Sequence, residues 1–182
     1  MSDAETRHRP FLIGTRSSPL ARAQASEVVA AMRRSAANLR LEIVTLNTLG
    51  DRNKEVPLSS MDRGMFVREI DRALLNGEVD AAVHSAKDMP AKSSDGLVIA
   101  AICERRDPRD VLINRWSTTV RDLPTGSKIG TGSPRRIALL RNIRPDIEII
   151  PIRGNVGTRV AKIDGENYDG VVVAAAGITR LG

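Results

Sequence analysis

One short stretch of the sequence gathers side chains that could stabilise charge or move a proton. After the apolar run that ends at Val83 come four polar residues, His84, Ser85, Lys87 and Asp88. We predict that a strand ends here, so these side chains lie at one edge of a sheet. A carboxylate at Asp88 would ionise readily among arginines and could stabilise a developing cation. The residues alone favour a simpler assignment, in which Asp88 caps a turn before Pro90 and Lys87 is solvent-exposed.

Two other segments could bind anions. In each, a predicted strand ends in Gly-Thr and a Ser-Pro pair follows, at 18–19 and again at 133–134. Serine favours the N-cap and proline the first helical position, so each segment predicts a helix N-terminus with free N–H groups. A well-capped helix with solvated arginines fits equally well. The adjacent basic residues are Arg16, Arg135 and Arg136.

A third candidate anion site is the loop Arg153-Gly154-Asn155-Val156-Gly157-Thr158-Arg159. It follows a predicted strand and opens a short helix, so its backbone N–H groups and two arginines could form an anion-binding nest. It lacks the glycine and lysine spacing of a nucleotide-binding P-loop. An ordinary tight turn accounts for the spacing as well.

The elements that must position these residues repeat along the chain. Three segments of the first half, 11–19, 41–46 and 80–85, have counterparts in the same order at 128–136, 147–152 and 169–174. Each set predicts strand, helix, strand, helix, strand, which indicates a parallel sheet. We therefore predict two α/β lobes that meet near residues 100–110, with their anion-binding edges facing one cleft. A further strand is predicted over 97–103, with Cys103 as a small core residue.

Composition narrows the function classes. The net charge of +6 attracts anions, whereas the aromatic content of 2% argues against single-stranded nucleic acid. No apolar run approaches the ~20 residues of a membrane helix, and the polar start resembles no signal peptide. We expect a cytoplasmic protein without nucleic-acid or membrane partners. One cysteine and two distant histidines complete no metal-ligand set, so no metal is expected.

Together these motifs resemble the porphobilinogen deaminase (hydroxymethylbilane synthase) family. The ordered set is specific, although each motif is weak alone. The matching stretches are IGTRSSPLARAQA (13–25), TLGDR (48–52), RGMFVREIDRALLNGEVDAAVHSAKDMP (63–90), CERRDPRDVLI (103–113), IGTGSPRRIALL (129–140), IRGNVGTRVAKID (152–164) and AAAGITRLG (174–182).

The resemblance implies two periplasmic-binding-protein-like (type II) lobes around a catalytic cleft, here 1–103 and an incomplete 104–182. It implies a transferase of tetrapyrrole and heme biosynthesis that deaminates porphobilinogen and condenses it stepwise into hydroxymethylbilane. The primer is a dipyrromethane cofactor, held by a cysteine of a third domain. We expect that domain and its cysteine to be absent from this chain, and Cys103 matches a different position.

The resemblance also assigns roles to residues. Asp88 corresponds to the catalytic aspartate, and Arg16 would assist it. The cofactor-binding positions are Ser18, Lys87, Ser133, Arg135 and Arg136. The positions that bind substrate carboxylates are Arg16, Arg153, Arg159 and Arg180. A mobile loop over the cleft corresponds to residues 51–64.

Two departures from the family pattern affect the expected activity. Gly132 replaces a serine, and no third domain is expected in this chain. We expect this chain alone to be weakly active or inactive, because the primer loses its covalent anchor. A separate chain could supply the missing domain. The alternative function is a non-enzymatic module that binds a small carboxylate or oxyanion; the sequence indicates no oligomeric state.

Overall fold

The computed structural model describes residues 9–48, 67–165 and 167–182, and the chain divides into two compact units, Met1–Glu104 and Arg105–Gly182. The predicted loop over 51–64 lies outside the described residues. Both units are mixed α/β structures, each built around its own sheet. The α/β class expected from alternating strand and helix patterns is therefore confirmed.

The first unit contains a three-stranded parallel sheet in the order β2-β1-β3. Ile13 of its central strand is completely buried, and the helix residues Val29 and Ile70 are buried as well. The elements are β1 (Phe11–Arg16), α1 (Pro19–Ser35), β2 (Leu41–Leu46), α2 (Arg68–Leu75), β3 (Ala81–Ala82) and a single 3-10 turn (Ala86–Asp88).

The second unit contains a four-stranded mixed sheet in the order β4-β7-β5-β6. Strands β5, β6 and β7 are parallel, but β4 runs antiparallel to β7. The three strands that the repeat predicts, β5, β6 and β7, are parallel as expected, whereas β4, which the repeat did not predict, joins the sheet in the opposite direction. The elements are β4 (Asp110–Asn114), β5 (Lys128–Gly130), α3 (Pro134–Ile143), β6 (Glu148–Ile150), α4 (Val156–Ala161), β7 (Gly170–Ala174) and α5 (Ala175–Leu181).

The internal repeat extends to individual hydrogen bonds. Asp80 precedes β3 and accepts the backbone N–H of Leu12 at 2.8 Å; Asp169 precedes β7 and accepts that of Lys128 at 2.8 Å. In both units the aspartate N–H also donates to the same strand residue, again at 2.8 Å. These paired bonds fix the register of the third strand against the first.

Each of these aspartates also forms an ion pair with an arginine. Arg9 forks onto Asp80, and Arg115 lies 3.3 Å from Asp169. Burial raises the pKa of Asp80, but the bonds from Leu12 and Arg9 outweigh it and leave the pKa below its usual value. The carboxylate of Asp80 therefore stays ionised and accepts the hydrogen bond from Leu12 that joins β3 to β1.

The strand predicted over 97–103 is wrong. This segment has no regular secondary structure, and Val98 and Ile102 are 85% and 87% exposed. Cys103 is exposed as well, not a core residue. An apolar run becomes a strand only where a neighbour pairs with its backbone, and neither described sheet places a strand beside it.

The helices are short. The longest that is described, α1, has 17 residues, and within the described ranges no helix combines the length and apolar character needed to cross a bilayer.

We predict that Gly170→Ala destabilises the second unit. An added Cβ would lie 2.8 Å from the carbonyl oxygen of Ile113 and 2.9 Å from the Cβ of Asn114, inside the β4–β7 pair. Such overpacking costs about 1–3 kcal/mol of unfolding free energy. Gly157→Ala is the matched control, because its nearest contact would be 3.7 Å away in helix α4. Urea unfolding followed by fluorescence of Trp116, the single tryptophan, measures both; equal stabilities would contradict the prediction.

Candidate active site at the carboxyl ends of the strands

The first unit brings three of the predicted site residues to one sheet edge. Arg16 is the last residue of β1, and the chain leaving the parallel strand β3 turns at Ala86–Asp88, which carries Lys87 and Asp88. Val83 N donates to Gly14 O at 2.9 Å, which extends the pairing to the point where the turn begins. Parallel alignment places both strand ends on the same side.

One hydrogen bond to helix α1 and one within the turn hold this segment. The Ser85 hydroxyl donates to Gln24 Oε1 at 2.9 Å, and Asp88 N donates to Ser85 O at 2.9 Å. The carboxylate of Asp88 is half-buried and forms no ion pair with any described residue, while Lys87 is exposed. Sequence reasoning missed Gln24, because a glutamine inside an amphipathic helix carries no signal of its partner.

Ser18 begins helix α1 as predicted. Its side-chain oxygen accepts the N–H of Ala21 at 3.3 Å, and Pro19 occupies the first turn. Beneath it, the buried Thr15 hydroxyl donates to Ala21 O at 3.2 Å. The hydroxyl of Ser18 is thus already engaged in capping.

His84 lies between the strand end and the turn. Its Nε2 atom is buried and has no hydrogen-bond partner among the described residues. Burial lowers the pKa of His84; the carboxylates of Asp71 and Asp88 oppose that shift, and Arg16 adds to it. The ring is therefore neutral at neutral pH, and two carboxylates and one guanidinium influence its charge.

In the second unit, Ser133 occupies the N-cap position of α3 without capping it. Its side chain makes no cap bond, whereas its backbone N–H donates to the buried Thr131 Oγ1 at 3.2 Å. Arg135 follows in the first helical turn, exposed and without a hydrogen bond or ion pair inside the described ranges. This helix start therefore presents a hydroxyl and a guanidinium that no described side chain occupies.

Arg136 differs from its neighbour. It forks onto Asp110 at 2.6 and 3.0 Å and donates to Val172 O at 2.9 Å. Its side chain is only 13% exposed. Arg136 thus joins α3 to β4 and β7, and Asp110 is a partner that sequence reasoning did not identify because it lies 26 positions away.

The loop after β6 has the predicted form. Asn155 caps α4 by accepting Thr158 N at 2.8 Å, and Gly154 takes a positive φ of 116°. Arg159 is tied back by its Nε, which donates to Gly154 O at 2.7 Å. Arg153 and, after β7, Arg180 are half-buried and each has a contact of its own.

The arrangement in each unit suits a ligand rich in carboxylates. Serine hydroxyls and guanidinium groups are donors that bind carboxylates well. Asp88 is the exception: an acceptor that would stabilise positive charge rather than bind an anion. The cleft predicted between the lobes remains a prediction.

Comparison with known proteins gives a consistent result. Residues 11–182 match a family model described as "Porphobilinogen deaminase, dipyromethane cofactor binding domain". Similar proteins named porphobilinogen deaminase include one from Syntrophus aciditrophicus, 51% identical over 93% of this chain and 56% of its own length. Another, from Acidothermus cellulolyticus, is 51% identical over 93% of this chain and 51% of its own. The chain spans about half the length of the curated relatives it matches.

We predict that two equivalent-looking serines respond differently to substitution. Ser18→Ala should cost about 1 kcal/mol of unfolding free energy, because it removes a cap bond. Ser133→Ala should leave stability nearly unchanged, since no cap bond is lost. Urea unfolding followed by circular dichroism compares the two. An equal loss in both variants would contradict the assignment of the Ser133 hydroxyl to ligand binding.

We also predict that acid weakens the first unit through His84. Its pKa in the folded state is below 6.5, the ordinary value, so the unfolded chain binds the extra proton first. The stability that depends on a neutral His84 is full above pH 6.5 and falls as the pH drops from there toward the folded pKa. His84→Gln should flatten this part of the curve when unfolding is measured between pH 7.5 and 5. An unchanged slope would contradict the prediction.

Proposed function

Since the chain belongs to the porphobilinogen deaminase family, we propose that it carries the catalytic and dipyrromethane-binding part of a transferase that polymerises porphobilinogen into hydroxymethylbilane. The observation that carries this proposal is that an acidic and a basic side chain, Asp88 and Arg16, lie at one sheet edge. Asp88 is an acceptor without an ion pair among described residues, beside the strand that ends in Arg16.

Asp88 is the proposed catalytic residue. When porphobilinogen loses ammonia, the remaining azafulvene is a cation with a pyrrole N–H. A carboxylate held by the Ser85 bonds can accept that N–H and stabilise the positive charge without rearranging first. The guanidinium of Arg16, from the neighbouring strand end, is proposed to bind a substrate carboxylate and to assist departure of the amine.

The remaining donors are proposed to bind acetate and propionate groups. The side chains of Ser133, Arg135 and Lys87 form no hydrogen bond or ion pair with other described residues, so they can reach a ligand without breaking one. Ser18 would contribute beside its capping bond. Further carboxylate contacts are proposed for Arg153, Arg159 and Arg180.

Arg136 is proposed to act mainly through its neighbour. Its fork on Asp110 fixes the start of α3 and so orients Arg135. A ligand carboxylate near Arg136 would approach a guanidinium that already holds one carboxylate and one carbonyl.

The residues fit the dipyrromethane group that the family binds. The fit rests on the donor set: the unused Ser133 hydroxyl and the exposed guanidinium of Arg135 at one helix start match a ligand with several carboxylates. When bound, that group supplies the primer carbon to which pyrrole units are added. The resemblance assigns its covalent attachment to a cysteine of a third domain, whose position Cys103 does not match.

We propose further that the two units are type II lobes whose carboxyl edges face one cleft. Support comes from the repeat: β1 and β5 are each central in their parallel strands, and each is followed by a Ser-Pro helix start. Anion donors from the second lobe and Asp88 from the first would then reach the same substrate.

A fusion tests the function without assuming what surrounds this chain. Residues 1–182 would be joined to the part of the Syntrophus aciditrophicus relative that lies beyond the aligned region, and hydroxymethylbilane formation measured with porphobilinogen. Asp88→Asn should lower the rate by about 100-fold or more, because the charge that stabilises the cation is lost.

The matched control is Asp95→Asn, in the same unit, whose side chain is 94% exposed beside Lys92. It should leave the rate unchanged. Product formation by the Asp88→Asn fusion at the parent rate would contradict the proposal. A folded fusion that binds porphobilinogen but releases no product would point to a carboxylate-binding module instead.

A further inference from the structure

His84 occupies a fixed place in the site. The residue before it is anchored by the bond from Val83 N to Gly14 O at 2.9 Å, and the residue after it by the bond from the Ser85 hydroxyl to Gln24 at 2.9 Å. With both neighbours anchored, the backbone of His84 has little freedom to move. Yet its buried Nε2 has no hydrogen-bond partner among the described residues.

A buried polar atom without a partner has a cost, since it gives up water without replacing it. An apolar residue of similar size would avoid that cost here. That cost is explained if the ring acts on the site through its charge rather than through a hydrogen bond at Nε2.

Three charged groups act on this ring, each from a different element. Asp71 belongs to helix α2, Asp88 to the 3-10 turn, and Arg16 to the end of β1. Asp71 also accepts the Ser94 hydroxyl at 2.5 Å, which holds its carboxylate in place. The ring therefore lies in the segment that joins the strand end to the Asp88 turn, where the charges of both residues assigned to the reaction influence it.

We propose that His84 is a positioning residue that controls whether the charge of Asp88 is available to the substrate. While the imidazole is neutral, Asp88 is the negative group that meets the azafulvene cation. Once the imidazole binds a proton, it becomes an internal counter-ion that competes with the substrate for the same carboxylate. This inference rests on the proposed function and makes His84 the origin of the acid limit of the reaction.

The charge coupling can be measured on the 182-residue chain without turnover. The chain has two histidines, and His8→Gln assigns their NMR signals. His84 should titrate below pH 6.5, and Asp88→Asn should shift its titration further down, because the Asp88 carboxylate raises the pKa. Asp95→Asn is the control and should cause no shift. If Asp88→Asn leaves the titration in place, the proposal is overturned.

The kinetic consequence is measured on the fusion described above. Below the His84 pKa, kcat of the parent should fall about tenfold per pH unit. In His84→Gln and His84→Asn this fall should move to lower pH, while kcat at pH 8 stays within about threefold of the parent; a merely structural role would lower the rate at every pH.

The two arms separate the possible failures. An active fusion whose acid limit is unchanged in both His84 variants overturns the inference alone. An inactive fusion contradicts the proposed function, and the NMR titration then decides whether His84 and Asp88 are electrically coupled.

Discussion

The candidate site depends on the parallel alignment of a central strand with the third strand of its unit. In both units an aspartate at the start of the third strand makes two hydrogen bonds to one residue of the central strand. Because the strands are parallel, fixing the register at their amino ends also fixes the opposite ends. The positions of Arg16 and of the Asp88 turn follow from that alignment in the first unit. The positions of Ser133 and of the start of helix α5 follow from it in the second.

Within this frame, the basic side chains divide into those engaged by the protein and those presented outward. Arg136 and Arg159 donate hydrogen bonds to neighbouring backbone or carboxylate groups. Arg135 is exposed, with no such bond to the described residues. A donor that is already satisfied costs more to redirect to a ligand than one that exchanges only water. Position along the sequence does not reveal this difference.

The sequence predicted local features well. The cap at Ser18, the short helix that the 153–159 loop opens and the repeated alternation of strand and helix all agree with the structure. Each depends on a few adjacent residues and on backbone preferences that act over one turn. The segment 97–103 shows the limit, since its apolar composition was right for a strand but a strand also needs a partner from elsewhere in the chain.

Residue types and spacing by themselves determined the α/β class and the family, because both depend on contiguous motifs. Only the tertiary structure decided how the polar groups are used. It paired Asp110 with Arg136, held the Asp88 turn with Gln24, and buried Nε2 of His84 where the charge of Asp71 influences the ring. Those outcomes join residues that are distant in the chain, and their energies depend on burial and charge, which a linear pattern does not contain.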